Sequence, residues 1–289
     1  MTKTRWFSVA AILCGLLGCP PVLAAPITTG RQAIDINGTP MVVFTYRPAT
    51  CSDPALLLVF HGIARNARTY RDDARALADR LSLLAVAPVF DKRAFPAWRY
   101  QRGGIVKDGV VQNAREWSGT QVLDIIAWAR AQEGRPLAYS LLGHSAGAQF
   151  LDRLAAFVPT DARRIVIANA GSYVFPSLEV DAPYGLGKVY SGTDGEAALR
   201  RYLEQPLTIY LGQGDYPRRR AKRLSRGAGP GCIALPTRSE RIQRGEDAGT
   251  GPRLEVQLAF GRTAQRGTQR TQDVLGAAGF GGVVALNRR

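Results

Sequence analysis

The sequence predicts an α/β fold, a mostly parallel central sheet flanked by helices, and three observations predict it. Short apolar β-type runs alternate with stretches of helical periodicity, the pattern of crossover connections between parallel strands. The run Leu56 to Phe60 is continuously apolar, as a central strand covered on both faces requires. Finally, 289 residues suffice to bury the core of one such domain, or at most two smaller ones.

The elements follow in order. Ala33 to Ile36 and Met41 to Tyr46 flank Asn37-Gly38, a pair suited to a tight turn, and predict a hairpin at the sheet edge. After the strand Leu56 to Phe60 and His61-Gly62, Tyr70, Ala74, Leu77, Ala78 and Leu81 form one face of a helix, and Leu83 to Pro88 the next strand. Residues 90 to 116 lose periodicity and carry Phe95, Trp98, Tyr100, Gly103 and Gly104, with Trp117 just beyond. Aromatic loops of this kind either line a substrate cleft or cover a sheet edge, and Trp98 and Tyr100 are the candidate cleft residues. Val122, Leu123, Ile126 and Ala129 then mark a helix closed by Gly134 and Pro136. A strand at Ala138 to Leu142 and a helix bearing Phe150, Leu151, Leu154 and Val158 follow. Arg164 to Ala168 is a further strand, Asn169 to Gly195 an irregular insertion, Glu196 to Leu203 a short helix and Leu207 to Leu211 β-like.

Both ends of the chain differ from this core. Lys3 and Arg5 precede the apolar run Trp6 to Leu17, and Val22-Leu23-Ala24 resembles a small-residue cleavage site, so residues 1–24 read as an export signal. A second reading takes Leu16-Leu17-Gly18-Cys19 as a lipoprotein processing site, which would anchor the protein to a membrane through a lipid on Cys19. Either reading places the protein outside the cytoplasm, periplasmic or secreted. No second run approaches the length of a membrane span. Beyond the leader, Cys51 and Cys232 are the two cysteines an oxidising compartment would be able to pair.

Net charge is +15, and its distribution is uneven. From Tyr216 to Arg289, 15 Lys or Arg face 5 Asp or Glu, with 12 glycines and no histidine. Such an Arg/Gly-rich composition predicts an atypical or disordered C-terminal part. Three regions result: a leader at 1–24, a core at 25–215 and a tail at 216–289. The basic run Arg218-Arg219-Arg220 with Lys222-Arg223 lacks interleaved aromatics, and export separates it from nucleic acid, so no nucleic-acid partner is expected. No clustered ligand spacing predicts a metal, and no glycine-rich phosphate loop predicts a nucleotide, so no cofactor is expected.

One motif concentrates the chemistry. Gly143-His144-Ser145-Ala146-Gly147 reads G-x-S-x-G between strand-like and helix-like runs, the pattern of a nucleophile elbow. A serine on so sharp a turn needs neighbours without side chains, so that its hydroxyl stands clear of the sheet.

Taken with Val59-Phe60-His61-Gly62, Arg65-Asn66-Ala67, Tyr70-Arg71, Phe95 to Tyr100 and Leu211-Gly212-Gln213-Gly214-Asp215, this chain resembles a secreted bacterial α/β-hydrolase similar to polyhydroxyalkanoate depolymerases and esterases, over about residues 30–215. The resemblance implies a triad in the order Ser, acid, His. Ser145 matches the nucleophile and Asp215 the acid that orients the imidazole. The backbone N–H groups of Ala146 and Ile63 match the oxyanion hole. The implied reaction is hydrolysis of a small or polymeric carboxylic ester through an acyl-enzyme on Ser145.

The implied histidine is missing. Only His61 and His144 occur, and each has a place inside a motif: one closes the strand before the oxyanion loop, the other is the second residue of the elbow. Without a base the serine hydroxyl is a weak nucleophile, so impaired hydrolysis, or a catalytically silent binding protein, is expected. The loss coincides with the change of composition after Asp215, and the tail reads either as a replaced or frame-shifted segment or as a natural divergent one.

Overall fold

The structure, a computed structural model, describes residues 25–211. The leader with Cys14 and Cys19, the acid candidate Asp215, Cys232, the basic run at 218–223 and the whole of the tail lie outside the described residues.

The chain begins with strands β1 (Gly30–Ile36) and β2 (Thr39–Tyr46), paired antiparallel with Ile36 opposite Thr39. Asn37 and Gly38 both take positive φ, 51° and 79°, which matches the right-handed twist of a two-residue hairpin. Strand β3 (Ala55–Phe60) is followed by two short helices, α1 (Ala67–Asp73) and α2 (Arg75–Leu81), and by β4 (Leu83–Pro88). The sequence predicted one helical face here. The structure divides it at Ala74, whose N–H still donates to the Tyr70 carbonyl at 3.1 Å, so Tyr70, Ala74, Leu77 and Ala78 stay in phase and buried.

Between β4 and the next long helix lies a small hairpin, β5 (Val106–Lys107) and β6 (Val110–Val111), then a 3-10 turn at Ala114–Glu116. Two-residue strands are too short for periodicity to register, and only the Asp108-Gly109 turn, with φ of 48° and 81°, marks them in the sequence. Helix α3 (Thr120–Glu133) ends on Gly134 in the left-handed region. Strand β7 (Tyr139–His144), helix α4 (Ala146–Phe157), strand β8 (Arg164–Ala168), helix α5 (Gly192–Leu203) and strand β9 (Leu207–Tyr210) complete the described chain. Helix α5 starts a turn earlier than its apolar residues imply, because Gly195 N–H already donates to Ser191 at 2.9 Å.

The sheet order is β1-β2-β4-β3-β7-β8-β9, with β4, β3, β7, β8 and β9 parallel and β2 antiparallel to β4. Side-chain alternation divides the core into two layers. Leu56, Leu58 and Phe60 face one way, against Ile125 and Phe150 of α3 and α4. Leu57 and Val59 face the other way, against Ala74 and Leu77 of the α1 and α2 segment. Helices therefore cover both faces, and the strand carboxyl ends converge where the motif residues lie.

Candidate active site

Strands β3 and β7 are adjacent and parallel, with Phe60 opposite Gly143, so the chain leaves the same end of the sheet at His61-Gly62 and at His144-Ser145. Ser145 has φ 55° and ψ −110°, a positive-φ conformation that costs on the order of 1–3 kcal/mol in a non-glycine residue. Packing holds it there. A Cβ on Gly143 would sit 2.5 Å from the Gly147 carbonyl oxygen, and one on Gly147 would sit 2.3 Å from the Phe60 carbonyl oxygen. Strand, turn and helix thus approach at distances only glycine permits. The Ser145 N–H donates to Ala168 of β8 at 2.9 Å, fixing the turn to the next strand.

Gly62 joins the two halves of the site: its Cβ position is 3.9 Å from Ser145 Cβ and 2.8 Å from the Tyr70 hydroxyl. Ile63, next in the chain, is exposed, and Ala146 is the first residue of α4. Neither the Ile63 N–H nor the Ala146 N–H has an acceptor among the described residues. Ala146 belongs to the first helical turn, whose N–H groups have no intrahelical partner and point toward negative charge.

Both imidazoles are engaged in the scaffold. His61 is fully buried; its Nε2 accepts the Phe90 N–H at 3.1 Å, and its Nδ1 lies 3.1 Å from the Gly62 carbonyl. That pattern assigns the neutral tautomer with the proton on Nδ1. Burial pushes its pKa down to about 4. His144 Nδ1 lies 3.0 Å from the Tyr70 hydroxyl.

The aromatic segment separates into two roles. Tyr100, expected as a cleft residue, is instead a core residue. It is fully buried and stacked on Phe90 and Phe150, with ring centroids 5.1 Å away in each case, and its hydroxyl donates to the His61 carbonyl at 2.8 Å. A ring buried in this way has no face left for a ligand, and burial holds its pKa well above the usual phenol range. Trp98 is half-buried and lines a cavity of about 460 Å³ at the sheet edge.

Two arginines organise the loops: Arg65, from the motif after Gly62, and Arg153, which the sequence did not single out. Arg65 has φ 62°; its guanidinium donates to the Phe90 and Phe95 carbonyls, both at 2.8 Å, and stands 4.2 Å from the Tyr100 ring centroid. It ties the loop after Gly62 to the aromatic segment. Arg153 is fully buried inside α4 and donates to the carbonyls of Ser172 at 2.9 Å and Pro183 at 3.1 Å. Beside it, Asp152 accepts the Val174 N–H at 2.7 Å and the Tyr202 hydroxyl at 2.9 Å. Burial raises the carboxyl pKa and lowers that of the guanidinium, each opposed by the other's charge. Together they fasten the irregular insertion onto the helix that follows Ser145. Only their adjacency on a mostly apolar helix signalled them.

Among the described residues no group of three or more His, Cys, Asp or Glu is placed to hold a metal ion, and no helix is long and apolar enough to cross a membrane. Cys51 is half-buried.

A parallel sheet covered on both faces, with a serine turn at its carboxyl end between β7 and α4, is the architecture of the α/β-hydrolases. The chain is 34% identical to a poly(3-hydroxybutyrate) depolymerase from Bordetella parapertussis, covering 64% of this chain and 67% of that one, with a TM-score of 0.58. It is 31% identical to poly(aspartic acid) hydrolase-1 from Sphingomonas sp. KT-1, covering 72% and 79%, with a TM-score of 0.62. No family model and no curated protein matches the chain. On these structural relatives the chain belongs to the α/β serine hydrolases, among the depolymerase-like members.

Proposed function

We propose that this chain is a serine hydrolase of carboxylic esters, with the acyl-enzyme formed on Ser145 and turnover held low by the lack of a histidine beyond position 144. The observation that carries this reading is the Ser145 turn at φ 55°, beside two backbone N–H groups, of Ile63 and Ala146, with no acceptor among the described residues. In this reading Ser145 Oγ adds to the ester carbonyl, and the oxygen that gains negative charge accepts from those two N–H groups. Donors of this kind lower the barrier by ~3–4 kcal/mol each. The Oγ proton passes to a solvent base, the alkoxide leaves as an alcohol after taking a proton from water, and a second water cleaves the acyl ester. Asp215 holds the position of the triad acid, with no histidine after position 144 for it to orient, and export by residues 1–24 remains part of the proposal. The relatives named for poly(3-hydroxybutyrate) and poly(aspartic acid) share a repeating acyl carbonyl, which supports a small or polymeric acyl substrate.

A second reading, a silent binding protein with the same cleft, is favoured by one observation: both nitrogens of His61 and Nδ1 of His144 are already engaged within the scaffold. Fluorophosphonate labelling with Ser145→Ala as control, joined to an aryl-ester assay, separates the two. Labelling with measurable turnover supports the hydrolase. Folded protein that takes no label overturns it in favour of the binder.

A further inference from the structure

The cavity beside Trp98 lies apart from Ser145 but at the same end of the sheet. Asn37 in the β1–β2 turn and Thr39, the first residue of β2, line it. Because β2 runs antiparallel to β4, with Val43 opposite Pro88, that turn projects from the carboxyl end of β4. Three or four strand spacings separate it from β7, roughly 15–20 Å along the sheet. An extended chain of a few acyl units spans such a distance.

The lining is unusual for a surface hollow. Arg99, Lys107 and Arg115 contribute three cations, Glu116 and Asp124 two carboxylates, and none of the five joins an ion pair among the described residues. Arg99 and Lys107 flank the Trp98 ring, their charged ends 6.0 and 5.4 Å from its centroid. A volume of about 460 Å³ suits a ligand of roughly one or two short acyl units.

We propose that this cavity binds the free-acid end of a short oligoester. The carboxylate meets Arg99, Lys107 and Arg115, and the apolar backbone of the ligand lies on Trp98. The cavity thereby acts as an end-group subsite that sets which ester bond of a chain reaches Ser145. The three cations around the Trp98 ring define an acid; the choice of an ester-linked one rests on the reading of the chain as an ester hydrolase.

The test uses full-length Ser145→Ala protein, which cannot form an acyl-enzyme, and calorimetric titration with the linear dimer of lactic acid and with its methyl ester. The free acid is expected to bind at least about tenfold more tightly than the methyl ester, and Lys107→Gln with Arg115→Gln to remove that preference. Equal affinity for acid and methyl ester, no binding of either, or an undiminished preference in the double variant would overturn the proposal. The aryl-ester assay and fluorophosphonate label on wild-type protein report separately on Ser145. A labelled, active protein without acid preference fails only the subsite, and acid preference in an unlabelled protein fails only the hydrolase.

Discussion

The Tyr70 hydroxyl lies 3.0 Å from His144 Nδ1 and 2.8 Å from the point a Cβ on Gly62 would occupy, so one oxygen from α1 abuts both loops of the site. A methyl group at position 62 would press on an atom that the imidazole holds in place. Gly62→Ala is therefore expected to lose about 1–3 kcal/mol of stability. In the Tyr70→Phe background, where the nearest remaining ring atom is 3.7 Å away, the same change is expected to cost less than half of that. Urea unfolding of the four proteins of the cycle measures the difference, and strict additivity would refute the contact.

Gly147 is tighter still. Its Cβ position is 2.3 Å from the Phe60 carbonyl oxygen and 2.9 Å from that of His61, both backbone atoms that cannot swing aside. Gly147→Ala must push α4 away from β3, and a loss of at least about 3 kcal/mol is expected by thermal or urea unfolding. Labelling of any folded fraction should slow as well, because Ala146 and Ser145 move with the helix.

The buried pair in α4 makes an asymmetric prediction. Arg153→Gln leaves Asp152 as an uncompensated charge deep in the core, with an expected cost of about 3–5 kcal/mol. Released carbonyls at Ser172 and Pro183 should also loosen the insertion. Limited proteolysis between residues 171 and 190 is expected to accelerate in this variant more than in Gly147→Ala at matched stability.

Stability should depend on pH through His61. Its folded pKa is about 4 against an ordinary value of 6.5, because burial disfavours the imidazolium. Between those values the unfolded chain binds a proton that the folded one refuses, so stability is full above about pH 6.5 and falls as pH drops toward 4. The shift corresponds to about 3 kcal/mol across that window. His61→Gln keeps an acceptor and a donor but does not titrate, so its unfolding free energy should change less between pH 7 and pH 4, even if its value at pH 7 is lower. An unchanged slope would assign the acid sensitivity to other groups.

Much of the fold was legible because its signals are local. Leu83 to Pro88 and Arg164 to Ala168 are bounded in the structure as the apolar runs imply, and Asn37-Gly38 marks the hairpin turn. The Ser145 turn was legible for the same reason: its glycines stand beside it in sequence. What escaped is carried by contacts distant along the chain. Arg65, quoted only as part of a motif, reaches Phe95, and Arg153, not singled out at all, reaches Pro183; neither contact is visible until the elements are stacked. Tyr100 misled in the opposite sense, since its aromatic neighbours in sequence resemble a cleft lining while its actual neighbours, Phe90 and Phe150, are core.

The close packing around Gly143 and Gly147 also divides the labour of the site. Everything that would steady a developing negative charge is built from backbone between Phe60 and Ala148, where van der Waals contact, and not chemistry, enforces the shape. Moving the proton is a separate task, which the family resemblance assigns to the sequence after the last described strand. On the proposed reading, a base from solution, such as imidazole at high concentration, is expected to raise turnover without remaking the turn.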